Sequence, residues 1–186
     1  MPKNDNAHSL RLTESLRNTV GDAAAADFAE KYPLSKSADI EKKFTWAKNA
    51  CAYLEENFDG DTIKAIRRAC RCNDGKSIAA KMGKYLNRTG SIKEFAEEFN
   101  AHETFASLEY VSENQLVFCY PECYCACVKR VPGLLSKTWC YCTLGNAEGI
   151  FTELFGKTVK VELMESIKSG GSRCAIRVEW QAENHS

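Results

Sequence analysis

Three histidines, three methionines and four prolines are all that 186 residues hold of those types. The scarcity of histidine bears on chemistry, because a Cys/His hydrolase needs an imidazole within reach of its thiol. Only His8, His102 and His185 could supply one. His8 and His185 fall in what read as frayed termini, and His102 follows a helix end. No P-loop, dinucleotide fingerprint or G-x-S-x-G elbow is present, so the common nucleotide-binding and α/β-hydrolase signatures are missing. Neither sign of charge is in excess: 25 basic and 25 acidic side chains leave no electrostatic footprint for nucleic acid or anionic lipid. No apolar run approaches the roughly 18 residues of a membrane span. The opening "MPKNDNAHSLRLTESLRNTVGD" lacks the apolar stretch of a signal peptide. A cytoplasmic address is expected, with neither nucleic acid nor membrane as partner.

What the chain does have is cysteine. There are ten, and six lie in "CYPECYCACVKRVPGLLSKTWCYC", from Cys119 to Cys142. In a reducing compartment such thiols mean metal binding, catalysis or burial before disulfides. In an extended segment Cys123, Cys125 and Cys127 would point to one face, and Cys140 with Cys142 forms a second short-spaced pair. Four thiolates suit tetrahedral zinc at about 2.3 Å, although the spacing matches neither zinc ribbons nor ferredoxins. The competing reading is a buried, cysteine-rich strand face. Cys51 lies on the apolar stripe of a helix and reads as core. Cys70 and Cys72 sit near a helix end and could chelate together only if that end frays. Glu122 could serve as acid or base beside a metal, but reads more simply as a solvated side chain.

The first hundred residues read as successive helices over 9–20, 23–31, 38–58, 62–72, 78–86 and 92–100. The third carries a stripe of Ile40, Phe44, Ala47, Cys51 and Leu54. Asp61 is the expected cap of the fourth, and Ser91 with Glu94 a capping box for the sixth. The period then becomes two. Strands are expected over 105–111 and 115–120 as a hairpin, and over 158–166 and 174–180, with a helix at 144–155 between the pairs. This is an α+β protein, helices packed on a C-terminal antiparallel sheet. Residues 1–35 read as a helical extension and 36–186 as one domain, helical to about 100 and mixed from 101.

The segment "WCYCTLGNAEGIFTELFGKTVKVELMESIKSGGSRCAIRVEW" (139–180) resembles the end of a 4-vinyl-reductase-type domain, a small-ligand-binding module. Trp139, Cys140, Gly145, Ala147, Gly149, Gly156, the run 159–166, Gly170, Gly171 and Cys174 carry the resemblance. It implies the fold of small-ligand receptors in nitric-oxide signalling and Golgi transport, helices on a sheet around an apolar pocket. It also implies zinc held by cysteines and an acidic residue. Cys140 and Cys174 match two of those cysteines, and Glu162 and Glu165 are the nearest acids. Ser166 stands where a third cysteine is common, so Cys142 or the 119–127 group would have to replace it. The ending "SIKSGGSRCAIRV" is also similar to that of the 2-amino-thiazoline-4-carboxylate hydrolase group.

The reading at this level is a zinc-binding module that binds or senses a small apolar ligand, rather than an enzyme. The expected ligands are Cys123, Cys125, Cys140, Cys142 and Cys174, with Cys119 and Cys127 next. An iron–sulfur cluster is the alternative cofactor, and a second copy of the chain the expected protein partner. The alternatives in function are a small-molecule hydrolase, using a cysteine nucleophile or metal-activated water, and a thiol redox sensor.

Overall fold

Asn6 begins the first helix by turning its side-chain oxygen to the His8 amide at 2.9 Å, which satisfies one of the unpaired donors of a helix start. A computed structural model describes residues 3–181, and His185 lies outside them. The described chain contains eight helices and four strands. It divides into two compact units, Met1–Arg71 with Tyr124–Cys142, and Cys72–Cys123 with Thr143–Ser186.

The first unit is helical. Helices α1 (Ala7–Val20) and α2 (Asp22–Lys31) meet at Gly21, whose φ of 104° only glycine adopts without strain. Helix α3 (Ile40–Asn57) starts at Asp39, which accepts from the Lys42 amide at 2.8 Å. Helix α4 spans Gly60–Ala69, earlier than its composition suggested. Asp59, not Asp61, has the extended backbone a cap requires, and it takes the amides of Asp61 and Thr62. The returning segment turns at 125–130 and ends in a four-residue helix, α7 (Lys137–Cys140), capped by Ser136. Leu12, Leu16, Phe28, Tyr53, Leu54 and Ile66 fill the interior. Phe28 meets the rings of Trp46 and Tyr53 at 6.0 and 5.2 Å.

The second unit holds α5 (Lys76–Leu86), α6 (Ile92–His102), β1 (Ser107–Ser112), β2 (Gln115–Tyr120), all but the first residue of α8 (Cys142–Phe155), β3 (Val159–Glu165) and β4 (Cys174–Trp180). Ser91 caps α6 as expected, while the Glu94 carboxylate reaches back to the Gly90 amide. The sheet order is β1-β2-β4-β3, antiparallel throughout. Leu108, Phe118, Ile176 and Leu163 lie in one row across it and form its buried face. Phe118 meets Phe151 of α8 edge-on at 5.3 Å, and Phe155 lies 4.2 Å from Trp180. Gly75 packs so closely on α8 that an added Cβ would stand 2.8 Å from the Ile150 nitrogen.

Candidate functional site

The cysteines that are close in sequence are divided between the two units: Cys119, Cys123 and Cys174 in the second, Cys125, Cys127, Cys140 and Cys142 in the first. Cys119 and Cys174 both belong to the sheet. Cys119 stands opposite Ala175, the residue after Cys174, so alternation puts the two thiols on opposite faces. Cys119 is buried with Val117 and Ala175. Burial is the main cause that pushes its thiol up, and Glu109 adds to it against Arg173 and Ser107. Cys123 follows the strand, half-covered, and Cys72 is exposed.

The extended row expected for Cys123, Cys125 and Cys127 does not continue. The Cys125 carbonyl accepts from the amides of Val128 and Lys129 at 3.1 and 2.9 Å, so the chain turns there. Cys127 is buried inside that turn and its thiol faces the Lys43 carbonyl at 3.8 Å.

The acidic residues that the family resemblance brought forward have other partners. Glu162 pairs with Arg177 at 2.8 Å. Glu165 closes the following turn by accepting from the amides of Ser172 and Arg173. Ser166 is buried and caps a short 3-10 turn at Ile167–Ser169. Glu122 is exposed, and so is His102, whose Nδ1 lies 2.9 Å from the Glu98 carbonyl. Among the described residues no three His, Cys, Asp or Glu side chains are grouped to hold a metal ion. The zinc and iron–sulfur expectations therefore find no assembled donor set.

A different centre emerges in the first unit. Arg67 sits on α4 at the fourth position after Ile63 and the third before Cys70, on the apolar face of the helix. It is 3% exposed. Its Nη2 donates to the Trp139 carbonyl at 2.6 Å and its Nε to the Thr138 carbonyl at 3.3 Å, both in the last turn of α7, where the Thr138 carbonyl also accepts from the Tyr141 amide. The guanidinium also lies over the Trp139 ring at 4.4 Å. No carboxylate among the described residues completes an ion pair with it.

Four thiols lie near enough to act on its charge. Burial works to lower the proton affinity of Arg67, but Cys142, Cys70, Cys51 and Cys125 together raise it above its ordinary value. Cys51 itself stays protonated, because burial pushes it up to about 12 despite the opposing charge of Arg67. Cys142 is half-buried and is the first residue of the 14-residue α8, where backbone amides favour negative charge. Cys140 lies close enough to raise Cys51 further.

His8 completes this centre, and its place corrects the frayed terminus expected for it. It lies in the first turn of α1, its ring 6.4 Å from that of Trp139. Arg11 Nη2 approaches His8 Nδ1 at 3.2 Å. A guanidinium only donates, so Nδ1 accepts and the ring proton sits on Nε2. Burial first, then Arg11, Arg67 and Lys43, push the imidazole down to about 4. The 97% buried Trp139 has an indole N–H without a hydrogen-bond partner among the described residues.

Against known proteins, the family model described as "Family of unknown function (DUF6144)" matches residues 7–184. The chain belongs to DUF6144. A sequence comparison with curated proteins finds no match. Among solved structures, this DUF6144 chain is similar to an H-NOX protein from S. oneidensis in its Fe(II) ligation state, at 13% identity and TM-score 0.46 over 97% of this chain and 98% of that one. It is also similar to a trafficking protein particle complex subunit 3 from Naegleria fowleri covalently bound to palmitic acid, at 13% identity and TM-score 0.42 over 77% and 95%. Neither the matched family nor these two proteins carries the 4-vinyl reductase or hydrolase name.

Proposed function

We propose that this DUF6144 chain binds or senses a small molecule through the thiols around Arg67, and that Cys142 is the thiol that reacts first. The observation that carries this is a fully buried guanidinium held by two carbonyls and a ring face, with four thiols near enough to act on its charge. Burying an unpaired charge costs several kcal/mol. The α7 carbonyls and the Trp139 face offset part of that cost, and a thiolate supplies a full opposing charge. Of the surrounding thiols, Cys142 combines partial exposure with a helix N-terminus, the setting in which cysteine is nucleophilic. The small-ligand role implied by the 4-vinyl-reductase resemblance of 139–180 agrees with this reading. Its zinc site does not fit the same residues, because a dication among these thiols would face the Arg67 charge.

The hydrolase alternative gains no support from His8: its Nδ1 accepts from Arg11, its Nε2 carries the ring proton, and burial and the neighbouring cations hold its basicity low. Sensing and hydrolysis separate by whether a thiol-directed electrophile is retained or turned over.

Protein purified without air and treated with limiting iodoacetamide tests the proposal, with peptide mapping and elemental analysis in parallel. The expected result is preferential alkylation of Cys142 and no stoichiometric metal. One tightly bound zinc per chain, with Cys142 protected by it, would contradict it.

A further inference from the structure

The first unit has a second feature that the thiol centre does not use. A groove of about 560 Å³ opens between the end of α2 and the first turns of α3, within the roughly 300–1,000 Å³ of small-molecule sites. Its apolar wall includes Tyr32, Leu34 and Trp46. Trp46 donates its indole N–H to the Tyr32 carbonyl at 2.8 Å, so what it turns to the groove is hydrocarbon. The charged wall consists of Lys3, Lys31 and Lys42 against a single carboxylate, Glu41.

The three lysines have aspartate neighbours, Asp5, Asp27 and Asp39, at 3.3, 2.9 and 3.4 Å, and none of these aspartates lines the groove. Two of the three carboxylates are anchored elsewhere: Asp5 accepts from the Lys36 amide and Asp39 from the Lys42 amide. The lysine side chains are 73%, 57% and 75% exposed. Exposed pairs of this kind contribute only about 0–1 kcal/mol, so their ammonium groups can swing onto a ligand at little cost. The groove therefore offers an apolar surface with mobile positive charge at its rim.

We infer that this groove binds a small organic anion, a carboxylate or sulfonate on a ring-sized apolar body. The apolar part would lie against Tyr32, Leu34 and Trp46, and the acid group would meet Lys31 and Lys42. The inference is independent of the thiol centre, and its test involves no thiol chemistry.

The probes are 8-anilinonaphthalene-1-sulfonate and the neutral N-phenyl-1-naphthylamine, which share a ring system and differ in the acid group. Fluorescence titration of the full chain should give the sulfonate at least about tenfold tighter binding than the neutral probe. The double variant Lys31→Gln/Lys42→Gln, with folding verified by its melting curve, should bring the two affinities close together and leave the neutral probe's affinity as it was. Equal affinities in the unaltered chain would overturn the inference. So would a sulfonate preference that survives in the double variant, because the anion would then be bound elsewhere.

Discussion

The two units treat arginine and cysteine in opposite ways. In the sheet unit, Arg173 lies at the surface with Glu109 and Glu165 as partners, and Cys119 is a small apolar side chain among Val117 and Ala175. In the helical unit, Arg67 is buried with no carboxylate paired to it among the described residues, and four thiols act on its charge. The first arrangement is what stability alone would select. The second holds charge inside the fold and leaves a half-buried thiol beside it, which stability alone does not require. That contrast, more than the number of cysteines, locates the candidate site.

The sharpest way to break the comparison is to truncate each arginine. Arg67→Ala leaves a cavity and removes two hydrogen bonds to buried carbonyls, and should destabilise the helical unit by about 3–5 kcal/mol. Arg173→Ala should cost less than about 1 kcal/mol, as exposed pairs do. Denaturant unfolding of both variants checks this, and similar losses would remove the distinction.

His8 gives the next largest effect. Its pKa is 6.5 in the unfolded reference and about 4 in the native protein. Between those values the unfolded chain binds the extra proton, so stability is full above pH 6.5 and declines as pH falls towards 4. With partial solvent screening of a half-buried ring, the decline amounts to about 2 kcal/mol. The causes are burial first, then the charges of Arg11 on its own helix, Arg67 on α4 and Lys43 on α3. His8→Phe keeps a ring beside Trp139 and should flatten that part of the pH profile; an unchanged slope would place the titration elsewhere.

In the sheet unit the cysteines should behave as core. Cys119→Ser puts a hydroxyl between Val117 and Ala175 and should cost about 1–2 kcal/mol, whereas Cys119→Ala should cost less. Thermal melts of the pair would decide it. A larger loss for alanine would mean that the thiol itself has a role there.

Much of the fold was legible in residue order. Regular stripes and alternation located seven helices to within a few residues, and the bounds of β2 and β4 coincide with the alternating runs. The pairing of β2 with β4 was not legible, because those strands are far apart in sequence. Four-residue α7 is too short to show a period. The site was harder to read because nearness in sequence stood in for nearness in space. One residue of alternation separates Cys119 from Cys174 across the sheet, and one turn sends Cys127 to Lys43. Arg67 did leave a signal: a charged residue in register with Ile63, Ile66 and Cys70 on an otherwise apolar helix face. His8, four residues before buried Leu12 on α1, left a similar one.

The central claim is that Arg67 makes Cys142 reactive. It is tested most directly by the alkylation rate of Cys142 in the unaltered chain, in Arg67→Lys and in Arg67→Gln, each verified as folded. The account predicts that Cys142 reacts ahead of exposed Cys72, that lysine largely preserves its rate, and that glutamine slows it about tenfold. Equal rates in all three proteins, with Cys72 reacting first, would contradict it.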